Sequence, residues 1–371
     1  MTDLTSTPPA APGEMYPQET GFAVLDEIRD AALEQLSPEV VDYLEGGAGT
    51  EATLRANRGA FGRWAIKPRP MSGVSGPDTG TEFLGLPLSA PVLTAPFGGD
   101  GLFHDGGQIA VARANAACGT ASIVPEAGTF SYERVAEAAP AAARIAQLHP
   151  FEHFEVSAER ARRAGYTTLC VTVDCSTAGF RVRNRTNRFS PDLAYFAGNQ
   201  DGVGTPQVAE MFERLLGLST PSWDWGRLAE ATSRCALPWI AKGVLTADAA
   251  EQAIAAGAAA LVVSNHGGRQ LDPAPASLDA LPEVAAAAAG RVPIALDSGV
   301  RTGSDIFTAL ALGADAVLIG RLAAYGLAAA GEEGVRRTIE LLTEELRTVM
   351  MLAGTASVSD IDANCLTERP R

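Results

Sequence analysis

The chain is poor in positive charge, in paired cysteine and in long apolar runs, and each shortage removes a class of function. Lys and Arg total 29 against 44 Asp and Glu, a formal net charge of −15 at neutral pH. A surface of that sign repels nucleic acid and anionic lipid, and no basic cluster relieves it. Neither nucleic acid nor a membrane is therefore an expected partner. The five cysteines, Cys118, Cys170, Cys175, Cys235 and Cys365, are scattered, odd in number and without CxxC or Cys/His ligand spacing. They indicate neither a disulfide framework nor a zinc site, and no metal is expected. No apolar run reaches the ~18 residues that span a bilayer. Residues 1–21 are rich in Pro, Thr and Glu, with no basic segment leading into an apolar core. They read as a flexible tail rather than a signal peptide, and the expected location is cytoplasmic.

What is present suits one large core. The chain has 371 residues, 46% hydrophobic and 20% charged. One local pattern recurs: a helical stretch stops at Gly, a few small or polar residues follow, then a short apolar run. It occurs at Gly119, Gly165, Gly257 and Gly313, spaced 46, 92 and 56 residues apart. Glycine in a left-handed conformation ends a helix, and the apolar run is a buried strand. With the remaining apolar runs this makes eight strands, beginning near Pro91, Ala121, Ile145, Leu169, Trp239, Leu261, Pro293 and Ala316. Helices alternate with them. One spans Ala247–Ala256, with Thr246 as N-cap and Gly257 as stop; another spans Asp305–Leu312. The fold class is α/β, a closed (β/α)8 barrel, with an open doubly wound sheet as the alternative. Residues 22–371 form its single domain. Phe22–Ala65 supply a largely helical N-terminal extension. An insert of about 190–230, between strands four and five, is Gly-, Pro- and Asp-rich in its first half and predicts a mobile lid.

Active sites of such barrels lie where the strands end. Strand six ends Ser264-Asn265-His266-Gly267-Gly268-Arg269, strand four at Asp174 with Arg181 beyond it, strand five at Lys242, and strand three at Gln147-Leu148-His149. Strands seven and eight end in Asp297-Ser298-Gly299-Val300-Arg301 and Gly320-Arg321. Glycines that admit backbone amides, a helix N-terminus and arginine together make a phosphate site. His266 is one of only four histidines. A histidine of ordinary pKa takes a proton near neutral pH. Arg181 and Arg269 suit a carboxylate. Asp174 could orient His266, and Lys242 could place charge beside a reduced cofactor; alternatively the two pair with each other.

The run Ser264–Gln270 resembles the signature of the FMN-dependent α-hydroxy acid oxidising enzymes, such as glycolate and lactate oxidases and mandelate dehydrogenase. The resemblance extends from about Asp42 to Gly354, through Asp42–Ala48, Asn57–Phe61, Lys67–Pro70, Leu296–Asp305 and Ala309–Ala314. It implies FMN as cofactor and a small carboxylate as substrate, oxidised to a 2-oxo acid. The acceptor would be O2 or another carrier, and the protein a homo-oligomer, commonly a tetramer in this family. His266 would be the base, Asp174 its support, and Arg181, Arg269 and Tyr43 the substrate ligands. Lys242 would face the flavin. Pro96, Phe97, Gly98, Gln147, Thr172 and Ser264 would contact its ring or ribityl chain. Asp297, Gly299, Arg301, Gly320 and Arg321 would hold ribityl and phosphate.

The chain departs from the family on strands one to three. His149 stands where the family usually has Tyr, and is expected to bind substrate or act as a second acid/base. Phe97 replaces a small residue. Strand two, which in the family usually ends in serines followed by an aromatic or small residue, here ends in Pro125, without a hydroxyl for the flavin, and Glu126, which adds a carboxylate near the substrate pocket; Phe180 stands where many members have a second arginine. These changes favour an unusual substrate, in specialised metabolism. Alternatives are oxidative decarboxylation, as in lactate monooxygenase, and a flavin-binding protein without this chemistry.

Overall fold

A computed structural model describes residues 21–200, 213 and 222–369. Among them, eight parallel strands close into one barrel. They are β1 (Val92–Thr94), β2 (Ala121–Val124), β3 (Ala143–Leu148), β4 (Leu169–Thr172), β5 (Trp239–Val244), β6 (Ala260–Val263), β7 (Ile294–Leu296) and β8 (Ala316–Ile319). Closure is made by β8 on β1, with Val317 opposite Val92 and Ile319 opposite Thr94. All eight expected strands are present, and the doubly wound alternative is excluded by the closure.

Alternation along each strand divides the core in two. Leu93, Ile123, Ile145, Cys170, Ile240, Val262, Ala295 and Leu318 form an inner cluster. Their neighbours Val92, Val124, Ala146, Val171, Ala241, Val263, Leu296 and Val317 pack outward against the helices. Phe83 and Leu88, from the short antiparallel pair Thr81–Phe83 and Leu86–Leu88, join the inner cluster with the first residues of several strands, Ala121, Ala260 and Ala316. They stopper the end where the strands begin. The opposite mouth is left for chemistry.

The helical signals hold locally. Thr246 Oγ1 accepts from the Ala249 amide at 3.1 Å to start Ala247–Ala255, and Gly257 follows with φ +93°. The helix expected from Asp305 begins two residues earlier, at Gly303, because Thr302 and Asp305 cap each other reciprocally. Helices Leu25–Gln35, Pro38–Glu45 and Ala52–Phe61 precede the barrel, as expected. Among the described residues no helix is long and apolar enough to cross a membrane.

Most of the expected tail and the centre of the expected lid lie outside the described residues. The start of that insert is anchored. The Gly198 amide donates to Gly128 O at 2.9 Å, and the Asn199 side chain accepts from the Tyr132 amide at 2.8 Å.

Candidate active site

Each strand's inward positions can be followed two residues past the inner cluster, which on β1 extends to Ala95. They become Phe97, Pro125, Gln147, Thr172, Lys242, Ser264, Asp297 and Gly320. The barrel therefore changes from apolar layers to a mostly polar one at its C-terminal mouth, as the pleat dictates. Neighbours in this layer touch. Gln147 Nε2 donates to Thr172 Oγ1 at 3.0 Å, and Lys242 Nζ donates to Ser264 Oγ at 3.1 Å and meets Asp297 Oδ2 at 3.1 Å. Lys242 thus pairs with Asp297, not with Asp174. Burial lowers its pKa, but Asp297 and then Asp174 more than reverse this, so the ammonium stays charged.

His266 sits just above this layer. Its φ is +58°, followed by +67° at Gly267 and +73° at Gly268. A non-glycine residue in the left-handed region is costly and needs surrounding support. The support is visible. The His266 amide donates to Ser264 Oγ at 3.0 Å, Gly267 N to Ser298 Oγ at 2.9 Å, and Gly268 N to Asn265 Oδ1 at 3.0 Å. Asn265 and Asn57 exchange side-chain hydrogen bonds of 2.8 and 2.6 Å, tying this turn to the N-terminal extension.

The His266 Nδ1 atom lies 3.3 Å from Asp174 Oδ1, as expected of an orienting carboxylate. Gly243 makes room for it: a Cβ there would lie 2.6 Å from the Asp174 Cβ. Burial lowers the His266 pKa; Asp174 opposes this and Lys242 adds to it, leaving the ring below its ordinary value. Burial would raise Asp174, but His266 and Lys242 hold it below the usual carboxylate range. The pair at neutral pH is a neutral imidazole and a carboxylate, with Nε2 as the open acceptor.

Beside His266 opens a cavity. Its walls include Tyr43, Pro96, Phe97, Gly98, Arg181, Lys242, His266, Arg269, Asp297, Gly299, Arg301, Gly320 and Arg321. Arg181 has a buried Nε with no hydrogen-bond partner. Among the described residues Arg269 gives hydrogen bonds only to main-chain oxygens, Tyr43 O at 2.6 Å and Gly46 O at 3.0 Å, and it lies over the Tyr43 ring. Burial and the adjacent Arg181 push its pKa well down. Tyr43 is steadied by stacking on Phe189 and by its hydroxyl bond to Gly98 O at 3.3 Å. Neither arginine has a carboxylate partner among the described residues, so both cations face the cavity with binding capacity unused.

Arg301 and Arg321 form a second such pair. Arg321 donates to the main-chain oxygens of Leu44, Gly46 and Gly267, and Arg301 lies against the Tyr325 ring. Burial lowers both pKa values, with Arg58 adding to the effect at Arg301 and Arg301 adding to it at Arg321, which falls to about 10. Arg321 opens the long helix Arg321–Ala353, whose N-cap Gly320 provides no side-chain cap. Its first amides and the two guanidinium groups converge on one place, a site for an anion. The N-terminus beginning at Gly303 is different. Its Gly303 amide is taken by Glu345 at 2.7 Å and the Asp305 amide by Thr302, so it is already satisfied.

Five expected residues are not in the cavity wall; one of them, Asp174, stands behind His266 and is bonded to it. Gln147, Thr172 and Ser264 are buried and bonded within the polar layer. His149 departs furthest from expectation. Its Nδ1 and its amide both lie 2.9 Å from Glu126 Oε2, and its ring stacks on Phe151. The Glu126 amide in turn donates to Gln147 Oε1 at 3.1 Å. Sequence reading had placed Glu126 and His149 around the substrate; here they close on each other. It also missed Ser298, Asn57 and the thiol of Cys175, which lies 3.5 Å from His266 Nδ1. Asn57 had a signal, since it precedes Arg58 in one of the family-like runs. Cys175 had none beyond its place after Asp174.

Residues 32–368 match the family described as FMN-dependent dehydrogenase. A peroxisomal (S)-2-hydroxyacid oxidase of Arabidopsis thaliana is 38% identical over 92% of this chain and 95% of its own length. An L-lactate oxidase of Nostoc is 40% identical over 92% of this chain and 97% of its own. The crystal structure of a mandelate oxidase superposes with a TM-score of 0.85 at 35% identity, covering 94% of this chain and 99% of that one. The chain belongs to the FMN-dependent dehydrogenase family, and it is an FMN-dependent oxidoreductase. The cavity suits that cofactor on its own terms. Two uncompensated arginines and an uncapped helix terminus fit its phosphate, and Lys242 with Asp297 offers a charged edge to its ring system.

Proposed function

We propose that this enzyme oxidises a 2-hydroxy acid to the 2-oxo acid, with His266 as the base and Arg181 and Arg269 as the carboxylate ligands. The observation that carries the reading is the arrangement around His266. Its Nδ1 is held by Asp174, and two guanidinium groups without acidic partners stand beside it. A carboxylate bound by those arginines would bring its α-carbon and hydroxyl to the imidazole. Neutral His266 takes a proton there through Nε2, and Asp174 stabilises the imidazolium that forms. Tyr43, stacked under Arg269, completes the anion site. FMN, when bound, accepts the two electrons the substrate gives up. Lys242, kept cationic by Asp297, offers positive charge where that cofactor gains negative charge.

The Phe97 side of the mouth supports an atypical substrate, since Phe97 lines the cavity where the family usually has a small residue. The electron acceptor is O2 or another carrier. A homo-oligomer working in the cytoplasm is part of the same proposal, resting on family resemblance and composition. The test is anaerobic bleaching of the oxidised flavin by a panel of 2-hydroxy acids, aliphatic and aromatic. Rapid reduction by at least one is expected. Failure of every member would overturn the reading.

A further inference from the structure

The thiol of Cys175 has no part in the proposed reaction, yet it lies against the catalytic histidine. Cys175 Sγ is 3.5 Å from His266 Nδ1 and 3.6 Å from Asp174 Oδ1, and those two atoms are 3.3 Å apart. Among the described residues, no other three His, Cys, Asp or Glu side chains bring ligand atoms so close together. The triangle has chemical meaning. Zinc binds thiolate at about 2.3 Å and imidazole or carboxylate at about 2.0–2.1 Å, tetrahedrally. The edges of such a tetrahedron are about 3.3 Å from N to O and about 3.5 Å from S to either. All three observed distances match those edges to about 0.1 Å. The second carboxylate oxygen, Asp174 Oδ2, is buried without a hydrogen-bond partner, so the carboxylate has capacity to spare.

We infer that Asp174, Cys175 and His266 form a site for a thiophilic divalent cation such as Zn²⁺, and that the cation switches the enzyme off. The ion bonds to Sγ, Nδ1 and Oδ1, with water in the fourth position. The thiol proton leaves to solvent. The single imidazole proton moves from Nδ1 to Nε2, because the Nδ1 lone pair is now given to the metal. One proton is released, and the site gains one positive charge. Nε2 becomes a donor and cannot accept the substrate's proton. Inhibition therefore comes from a tautomer change, without the ion entering the substrate cavity. Ligands 91 residues apart in sequence explain why cysteine spacing gave no hint.

The test uses the purified holoenzyme and zinc sulfate. After gel filtration one zinc per chain is expected to remain. Zinc-edge X-ray absorption should show one sulfur scatterer at about 2.3 Å. Flavin reduction by substrate should be lost with zinc and restored by a chelator. Cys175→Ser and Cys175→Ala should retain turnover, while the zinc concentration for half-inhibition rises by at least the ~10- to 100-fold that even outer-sphere partners contribute. A zinc shell without sulfur, or an alanine variant inhibited as readily as the parent, would overturn the site. The absorption measurement needs neither a variant nor a substrate, so it stands apart from the proposed reaction.

Discussion

On the arc from β4 to β8, the barrel mouth carries Asp174, Lys242, His266, Asp297 and four arginines; on the arc from β1 to β3 it carries Phe97, Pro125, Gln147 and the Glu126–His149 pair. Both arcs bury polar groups at the same height in the same barrel. They satisfy them differently. On the first arc, Arg181, Arg269, Arg301 and Arg321 have no acidic partner among the described residues, in a chain with 15 more acidic than basic groups. On the second, each polar group is bonded to a neighbour: Glu126 to His149, Gln147 to Thr172 and to the Glu126 amide. Groups committed to one another have little left for a ligand. The uncommitted arc is where binding energy is available.

The contrast can be broken by substitution. The largest effect is expected at His266. His266→Ala should keep its FMN absorbance and lose anaerobic flavin reduction by about 10⁴-fold, measured by stopped flow. Lys242→Met should come next, in stability: it leaves the Asp297 carboxylate buried and unpaired, a cost of about 3–5 kcal/mol. Thermal unfolding of the purified variant measures it, and an unchanged midpoint would show Asp297 compensated elsewhere. Arg181→Met removes one cation from the proposed carboxylate site and should cost about 1.5–3 kcal/mol in kcat/KM, most of it in binding.

A pH profile sharpens the same contrast. Burial and Lys242 outweigh Asp174 and hold the His266 pKa below its ordinary value. A base is active when neutral, so the proposed role needs the unprotonated ring. Activity should therefore be flat through neutral pH and fall only as the pH drops through that lowered pKa. A fall beginning above about pH 6.5, the ordinary histidine value, would contradict the assignment. The smallest effect belongs to the other arc. Glu126→Gln should change kcat by less than about tenfold, since the pair supports the wall rather than the reaction. A much larger loss of kcat would move Glu126 and His149 into the chemistry.

How much of this was legible in sequence follows the reach of each interaction. Helix stops at Gly257 and Gly313 and the apolar runs after them are local, and they gave the strand positions almost to the residue. His266 was legible because a strand end, two glycines and an arginine adjoin it. Partner choice was not. Whether Lys242 pairs with Asp174 or with Asp297 depends on inward register at three strands, and the barrel's closure decides it. The Asn57–Asn265 exchange spans 208 positions and the Cys175–His266 contact 91. Glu126 and His149 were each read as facing a substrate, because a sequence shows an ionisable group but not that its neighbour has already claimed it.

Tyr43 and Gly46 give the site a place in the time course of synthesis. The main-chain oxygens of residues 43–46 receive Arg269 and Arg321, across sequence separations of 223 to 277 residues. The ribosome makes the acceptors early and the donors late. Until Arg321 has emerged, those carbonyls lack one of their two arginine partners, and the anion site they help to shape does not exist. Contacts of such high order form slowly and only once most of the chain is available. The cavity is thus a product of the finished chain, and a nascent chain halted before its last barrel strand carries the proposed base, His266, without a complete place to use it.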